Sequence, residues 1–181
     1  RPLWLTLLEQ NGTALADGKT IPHIAAEPFY QWFVWIGGSG ATIGLTLLLL
    51  TVSKSSYGRT LGKTSILSTI FNINEPIIFG CPVVLNPILL PPFIMVPVIN
   101  SSLAYFFTKM GWVNKVTSTP PWTLPGPIGA FLATNGDFRA VLLSLFLIFT
   151  SILIYYPFFK AYDKKMVEEE KNNQEENNGE E

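Results

Sequence analysis

The chain has 181 residues, 48% of them hydrophobic and 14% charged, with a formal net charge of −1. Soluble domains carry about 25% charged residues, so this composition excludes an ordinary soluble domain, a disordered chain and a basic nucleic-acid binder. A single Cys and a single His leave no disulfide framework and no usual zinc pattern, and neither metal nor cofactor is expected.

Residues 1–27 read as an extracytoplasmic loop following the end of a helix. The chain begins with Arg1 rather than Met, so it is expected to be a piece of a longer protein. The first thirty residues lack a basic start followed by an apolar run, and no signal peptide is expected. Pro28 to Ser53 contains no charge and reads as the first membrane span. Its aromatic girdle, Phe29-Tyr30-Gln31-Trp32-Phe33-Val34-Trp35, marks one interface. Within it, Gly37-Gly38-Ser39-Gly40-Ala41-Thr42-Ile43-Gly44 has neither dinucleotide-binding nor P-loop spacing, and Ser39 lacks a nucleophile-elbow context. Gly40 and Gly44 have the small-xxx-small spacing of close helix packing. Approach of the Gly38 and Gly40 backbone to a ligand is the alternative.

Lys54, Arg59 and Lys63 separate this span from the next apolar stretch. Thr64 to Thr108 holds one ionisable residue before its end, Glu75, and six prolines, so no straight helix can run through it. Broken backbone at membrane depth must be buried in protein or line a cavity. Residues 65–90 therefore read as a re-entrant hairpin and residues 91–108 as a span. Pro120 to Asp137 is a second broken segment, too short to cross. Ala140 to Phe159 is the cleanest span. From Lys160 on, four basic and eight acidic residues form a solvated tail, 160–181, too polar to bury anything. By the positive-inside rule, the Lys54–Lys63 loop and the C-terminus face the cytoplasm, with Lys109, Lys115 and Arg139 left outside. The fold expected is an all-α polytopic membrane protein. About three transmembrane helices and two broken re-entrant segments, within 28–159, make part of a substrate domain.

Glu75 is the first candidate site residue. A carboxylate in apolar sequence is costly unless it is paired or protonated, and Pro76 places it at a helix break where it and Asn74 can face a cavity. Capping of a buried helix end is the structural alternative. Trp122, after two prolines, offers either a rigid face for an amphipathic ligand or an interfacial anchor. Paired broken segments point to a transporter's binding site. His23 is a lone loop residue and Cys81 a packed small side chain. The sequons at Asn11 and Asn100 are weak patterns, and the second lies inside a proposed span.

Three motifs in order resemble the membrane permease subunit, enzyme IIC, of the bacterial sugar phosphotransferase system. They are Phe33 to Thr42, Phe71-Asn72-Ile73-Asn74-Glu75-Pro76, and Pro121-Trp122-Thr123 with Gly129 to Thr134. The likeness is nearest to the lactose/cellobiose/diacetylchitobiose branch and covers Pro2 to about Tyr162. It implies the carboxyl-terminal portion of a multi-pass permease of the bacterial inner membrane, which carries a disaccharide inward by an elevator-like shift. A separate cytoplasmic subunit then phosphorylates the sugar from a phosphocysteine, so the donor is not Cys81. Asn74 and Glu75 would bind the sugar, with Glu75 as general base or orienter, and Trp122 would line its site. The family's Gly-Ile-His-Gly histidine is not matched by His23, and its homodimer helices have no counterpart in this sequence. An ion-coupled secondary transporter working through Glu75 is the alternative function.

Overall fold

A computed structural model describes residues 2–179, with side chains described for 3–176. Eight α-helices follow in chain order, and no strand occurs among the described residues. They are α1 (Pro2–Ala16), α2 (Glu27–Phe29), α3 (Ile43–Thr51), α4 (Ser56–Ile70), α5 (Glu75–Gly80), α6 (Leu90–Lys109), α7 (Gly126–Ala133) and α8 (Phe138–Gly179). A π-helical turn, Tyr30–Val34, continues α2, and a 3₁₀ turn, Ser39–Ala41, precedes α3.

Two helices, Leu90–Lys109 and Phe138–Glu176, are long and apolar enough to cross a membrane. The expected first span is not one rod. Glu27–Ala41 and Ile43–Thr51 meet at 56°, giving a third crossing only if the bent pair counts as one. The bend follows from the glycine run: Gly37, Gly38 and Gly40 have φ of +79°, +95° and +76°, where a right-handed helix cannot continue. Gly44 fulfils the packing expectation, since a Cβ there would lie 2.8 Å from the α8 backbone at Ser151 and Ile152. Gly40 does not take part in that packing; it lies outside the helix, under the ring of Phe93.

The hairpin is present but starts earlier than residue 65. Arg59 and Lys63, expected in a loop, lie on α4, whose N-cap Ser55 accepts from the Gly58 N–H. The chain turns at Phe71–Asn74 and re-enters helix as α5, where Pro76 occupies the first turn, a position that needs no N–H donor. Prolines 91 and 92 likewise start α6. The second broken segment approaches in extended form and forms only α7.

The core has two parts, both leaning on α8. One gathers Phe29, Trp32 and Phe33 with α7 and the first turns of α8. The other gathers α3, Ile77, Cys81 and the start of α6 around Tyr155, Phe159 and Met166. Gly129 lets the fully buried Trp32 lie flat on α7, for a Cβ there would sit 2.1 Å from the ring.

The polar tail differs from expectation. Instead of leaving the fold, it extends α8, and two of its carboxylates hold the α3–α4 turn. Asp163, buried, accepts from the Ser53 hydroxyl at 2.5 Å, from Lys54 N at 3.0 Å and from Ser55 N at 3.3 Å. Seven residues further on, the same face presents Glu170. It accepts from Tyr57 N at 2.8 Å, Ser55 Oγ at 2.7 Å and Ser56 N at 3.2 Å, satisfying the free donors at the start of α4. Tyr57 N–H and the Ser55 hydroxyl hold the Glu170 carboxyl below its ordinary value of 4.5.

Asp163→Ala should therefore cost on the order of 3 kcal/mol, read as a lowered unfolding midpoint in detergent, because three donors lose a charged acceptor. Glu170→Gln should destabilise less. A depressed folded-state pKa contributes stability only above the unfolded value, so the gap between wild type and Glu170→Gln should be full at neutral pH. It should close as pH falls below about 4.

Candidate functional site

Three broken backbone segments converge on one end of the bundle: the glycine loop 35–42, the α4–α5 turn 71–74 and the proline-rich approach to α7. Breaks expose N–H and C=O groups that membrane interior cannot satisfy. Side-chain amides supply the missing partners. Asn72, at φ +63°, accepts from Gly37 N at 2.9 Å through Oδ1. Its Nδ2 donates to the carbonyls of Trp122 at 3.0 Å and Leu124 at 2.9 Å. One side chain thus ties all three segments together.

Asn74, buried at the N-terminal boundary of α5, donates to Ser39 O at 2.7 Å and Thr42 Oγ1 at 2.9 Å. Thr42 in turn donates to Gly37 O at 2.8 Å. From below, the buried Tyr155 of α8 donates to Gly40 O at 2.8 Å. Gly38 is required by this arrangement, since a Cβ there would sit 2.4 Å from Asn74 Cγ.

Beside these loops lies a cavity of about 300 Å³ lined by Gln31, Trp35, Gly38, Ser39, Asn72 and Trp122. Trp122 is 57% exposed and Trp35 38%, so both indoles offer free surface. Trp35 is braced from behind: its ring centroid lies 5.9 Å from Tyr30, which stacks on Trp4 of α1 at 5.4 Å. Two aromatic faces with amide and hydroxyl groups between them suit a ligand that is apolar on its faces and hydroxylated at its edges.

The predicted residues are therefore only partly assembled. Trp122 and Gly38 line the cavity. Gly40 lies behind the loop, and Asn74 faces the loop with its amide nitrogen, while its Oδ1 accepts no hydrogen bond among the described residues. Glu75 is exposed in the first turn of α5, outside the lining. It makes no hydrogen bond or ion pair with the described residues, so the expected enclosed acid is instead on an open face of this chain. His23 takes a structural place: Asn11 accepts from its N–H at 2.9 Å and donates to its carbonyl at 2.8 Å. Cys81 is fully buried, as a packed small side chain.

The sequence pattern does not single out Asn72, Gln31 or Trp35. Asn72 alone carried a signal, as an amide at a helix break whose side chain tolerates left-handed backbone. Gln31 is turned by the π-helical register, which no side-chain pattern announces.

A family model described as "Phosphotransferase system, EIIC" matches residues 1–97. The lichenan permease IIC component of Bacillus subtilis (strain 168) is 38% identical over 92% of this chain, which spans 37% of that relative. The lactose-specific EIICB component of Staphylococcus haemolyticus (strain JCSC1435) is 36% identical over 89% of the chain and 28% of its own length. Among solved structures, the transporter ChbC matches with a TM-score of 0.91 at 38% identity. It is the IIC component from the N,N'-diacetylchitobiose-specific phosphotransferase system, and the match covers 94% of this chain and 40% of that one. The chain thus spans between 28% and 37% of the curated relatives' length.

Asn72→Ala should remove three hydrogen bonds and cost about 2–4 kcal/mol at roughly 1 kcal/mol each. The checks are a lowered unfolding midpoint and faster proteolysis near Trp122, which a uniform loss of stability would not localise.

Proposed function

The chain belongs to the phosphotransferase system EIIC family, and on that premise we propose that it forms the sugar-holding part of a permease for a disaccharide of the cellobiose, lactose or diacetylchitobiose class. The observation that carries this reading is the cavity between Trp35 and Trp122, whose walls are held in register by Asn72. Relatives named for lichenan, lactose and diacetylchitobiose support the substrate class.

In this reading, an indole face covers the apolar side of a sugar ring, and Gln31, Ser39 and the Asn72 region meet its hydroxyls. Asn74 contributes its remaining Oδ1 and fixes the glycine loop. Gly38 lets backbone approach the ring, and Gly40 keeps the loop seated on Phe93. Glu75 follows Asn74 at the α5 break, outside the cavity lining, and acts here on a sugar that extends beyond the cavity. Its carboxylate accepts a hydrogen bond from the sugar hydroxyl that is to be phosphorylated, orienting it or taking its proton as general base.

The phosphoryl group comes from a phosphocysteine on a cytoplasmic IIB partner, a reading supported by relatives named EIICB components. Transfer of this kind depends more on positioning and charge than on covalent work at the acceptor site. The basic residues Lys54, Arg59, Lys63, Lys160, Lys164 and Lys165 support a reading in which the α3–α4 turn and the far end of α8 face the cytoplasm.

In the complete permease, Glu75→Gln should retain sugar binding by calorimetry and lose phosphorylation about 10²–10⁴-fold if the carboxylate is the base. Full uptake and phosphorylation by that variant would remove the role. Trp122→Ala should weaken sugar binding at least about tenfold, with its unfolding midpoint little changed. Uptake that survives loss of the phosphoryl donor but collapses with the proton gradient would favour ion coupling instead.

A further inference from the structure

The last turn of α6 and the first turns of α8 enclose a cavity of about 330 Å³ that shares no residue with the candidate sugar site. Its walls are Phe107, Trp112, Val113, Leu142, Leu143 and Phe146, and Arg139 is the one charged residue in the lining. The Phe107 ring packs 5.6 Å from Trp112 and edge-on, at 6.1 Å, against Phe146, so stacked rings hold the hollow open. A second apolar hollow of about 250 Å³ lies beside the same turns, between Phe138 and Val141 of α8 and Ile128 and Phe131 of α7. Arg139, Leu142 and Phe146 share one stripe of α8, and Phe138 and Val141 share the adjoining one, so each hollow takes its own stripe.

Arg139 is fixed in place without being used up. The buried Asp137 accepts from the Asn114 N–H at 2.8 Å and from Arg139 N and Nε at 3.0 and 3.1 Å. The two terminal nitrogens of the guanidinium make no hydrogen bond with the described residues, and the side chain is 59% exposed. A second oxyanion can take that fork. The level in the bundle bears on which one. The two helices long and apolar enough to cross a membrane both end here, at Lys109 and Phe138. A cation beside oily hollows at the ends of two spans is the surrounding of a lipid headgroup and its tails. Lys109, exposed in the last turn of α6, adds positive charge at the same end. On the orientation read from the basic loops, the positive-inside rule gives these cations no reason to be here; a headgroup does.

We propose that this end of α6 and α8 binds an anionic phospholipid, with its phosphate on Arg139 and one tail in each hollow. Shape and charge argue for that occupant. Walls almost without polar atoms would leave the hydroxyls of a sugar unpaired. A protein helix is roughly 10 Å across and needs one broad groove, whereas two small hollows on adjoining stripes match two separate chains. The site uses none of the residues assigned to sugar binding and stands apart from that reading.

The test counts phospholipid bound to the complete permease in detergent by native mass spectrometry. Dioleoyl phosphatidylglycerol is titrated against dioleoyl phosphatidylcholine, which has the same tails and a neutral head. The wild type should prefer phosphatidylglycerol about tenfold, and Arg139→Gln should reduce the preference to about twofold or less. Leu142→Trp narrows the larger hollow from a half-exposed position and leaves Arg139 intact; it should weaken both lipids about tenfold. An unchanged unfolding midpoint qualifies each variant, and Leu142→Trp decides alone if Arg139→Gln fails to fold. No preference in the wild type, or affinities unmoved by either variant, would overturn the site. So would a wild type that binds neither lipid while Leu142→Trp lowers the midpoint, since another part of the permease would then fill the hollows.

Discussion

The arrangement at the candidate site depends on giving broken backbone a partner where water is scarce. Helices satisfy their own N–H and C=O groups, but a glycine loop, a helix break and a proline-rich strand of chain do not. Asn72 resolves this with one amide. Its oxygen takes the Gly37 N–H and its nitrogen gives to two carbonyls of the Trp122 loop. Asn74 does the same for Ser39 and Thr42, and Tyr155 for Gly40. The loops are irregular in conformation yet specified in position, which is what a binding site built from breaks requires.

The second organising element is α8. Its apolar stretch closes both halves of the core, and its polar extension continues the same helix to hold the α3–α4 turn through Asp163 and Glu170. A single rigid rod therefore touches the glycine loop at one level and the start of the hairpin at another. Tyr57, whose N–H is held by Glu170, donates its hydroxyl to Gly80 O at the end of α5. The short helix that carries Glu75 is thus seated, through α4, on the extension of α8. Hairpin, loop and α8 are thereby joined as one connected unit, through contacts that are buried or charge-assisted.

Much of this was legible in the residues. Long charge-free runs gave the spans at α6 and α8, since hydrocarbon thickness imposes length and polarity directly on the chain. Prolines at 76, 91 and 92 and the acid at 75 located the breaks for similarly local reasons. The errors were also local readings of non-local facts. Pro28 to Ser53 looked like one helix because its composition is uniformly apolar, yet three glycines with positive φ divide it. The tail looked dispensable because it is polar, but polarity is what suits it to capping exposed helix donors. Glu75 looked buried because its sequence neighbours are apolar, although its side chain lies on an open face.

Composition and spacing by themselves determine that this chain is helical, holds runs long and apolar enough to cross a bilayer, and breaks at Glu75 and near Trp122. Those are consequences of solvent and of proline and glycine geometry, acting over a few residues at a time. Only the tertiary structure decides that Asn72 rather than Asn74 joins the three loops, that Gln31 and Trp35 share a wall with Trp122, and that Glu170 caps a helix more than a hundred residues earlier. Such contacts join residues from 35 to 115 positions apart, and they form because buried donors must find acceptors wherever the fold brings them.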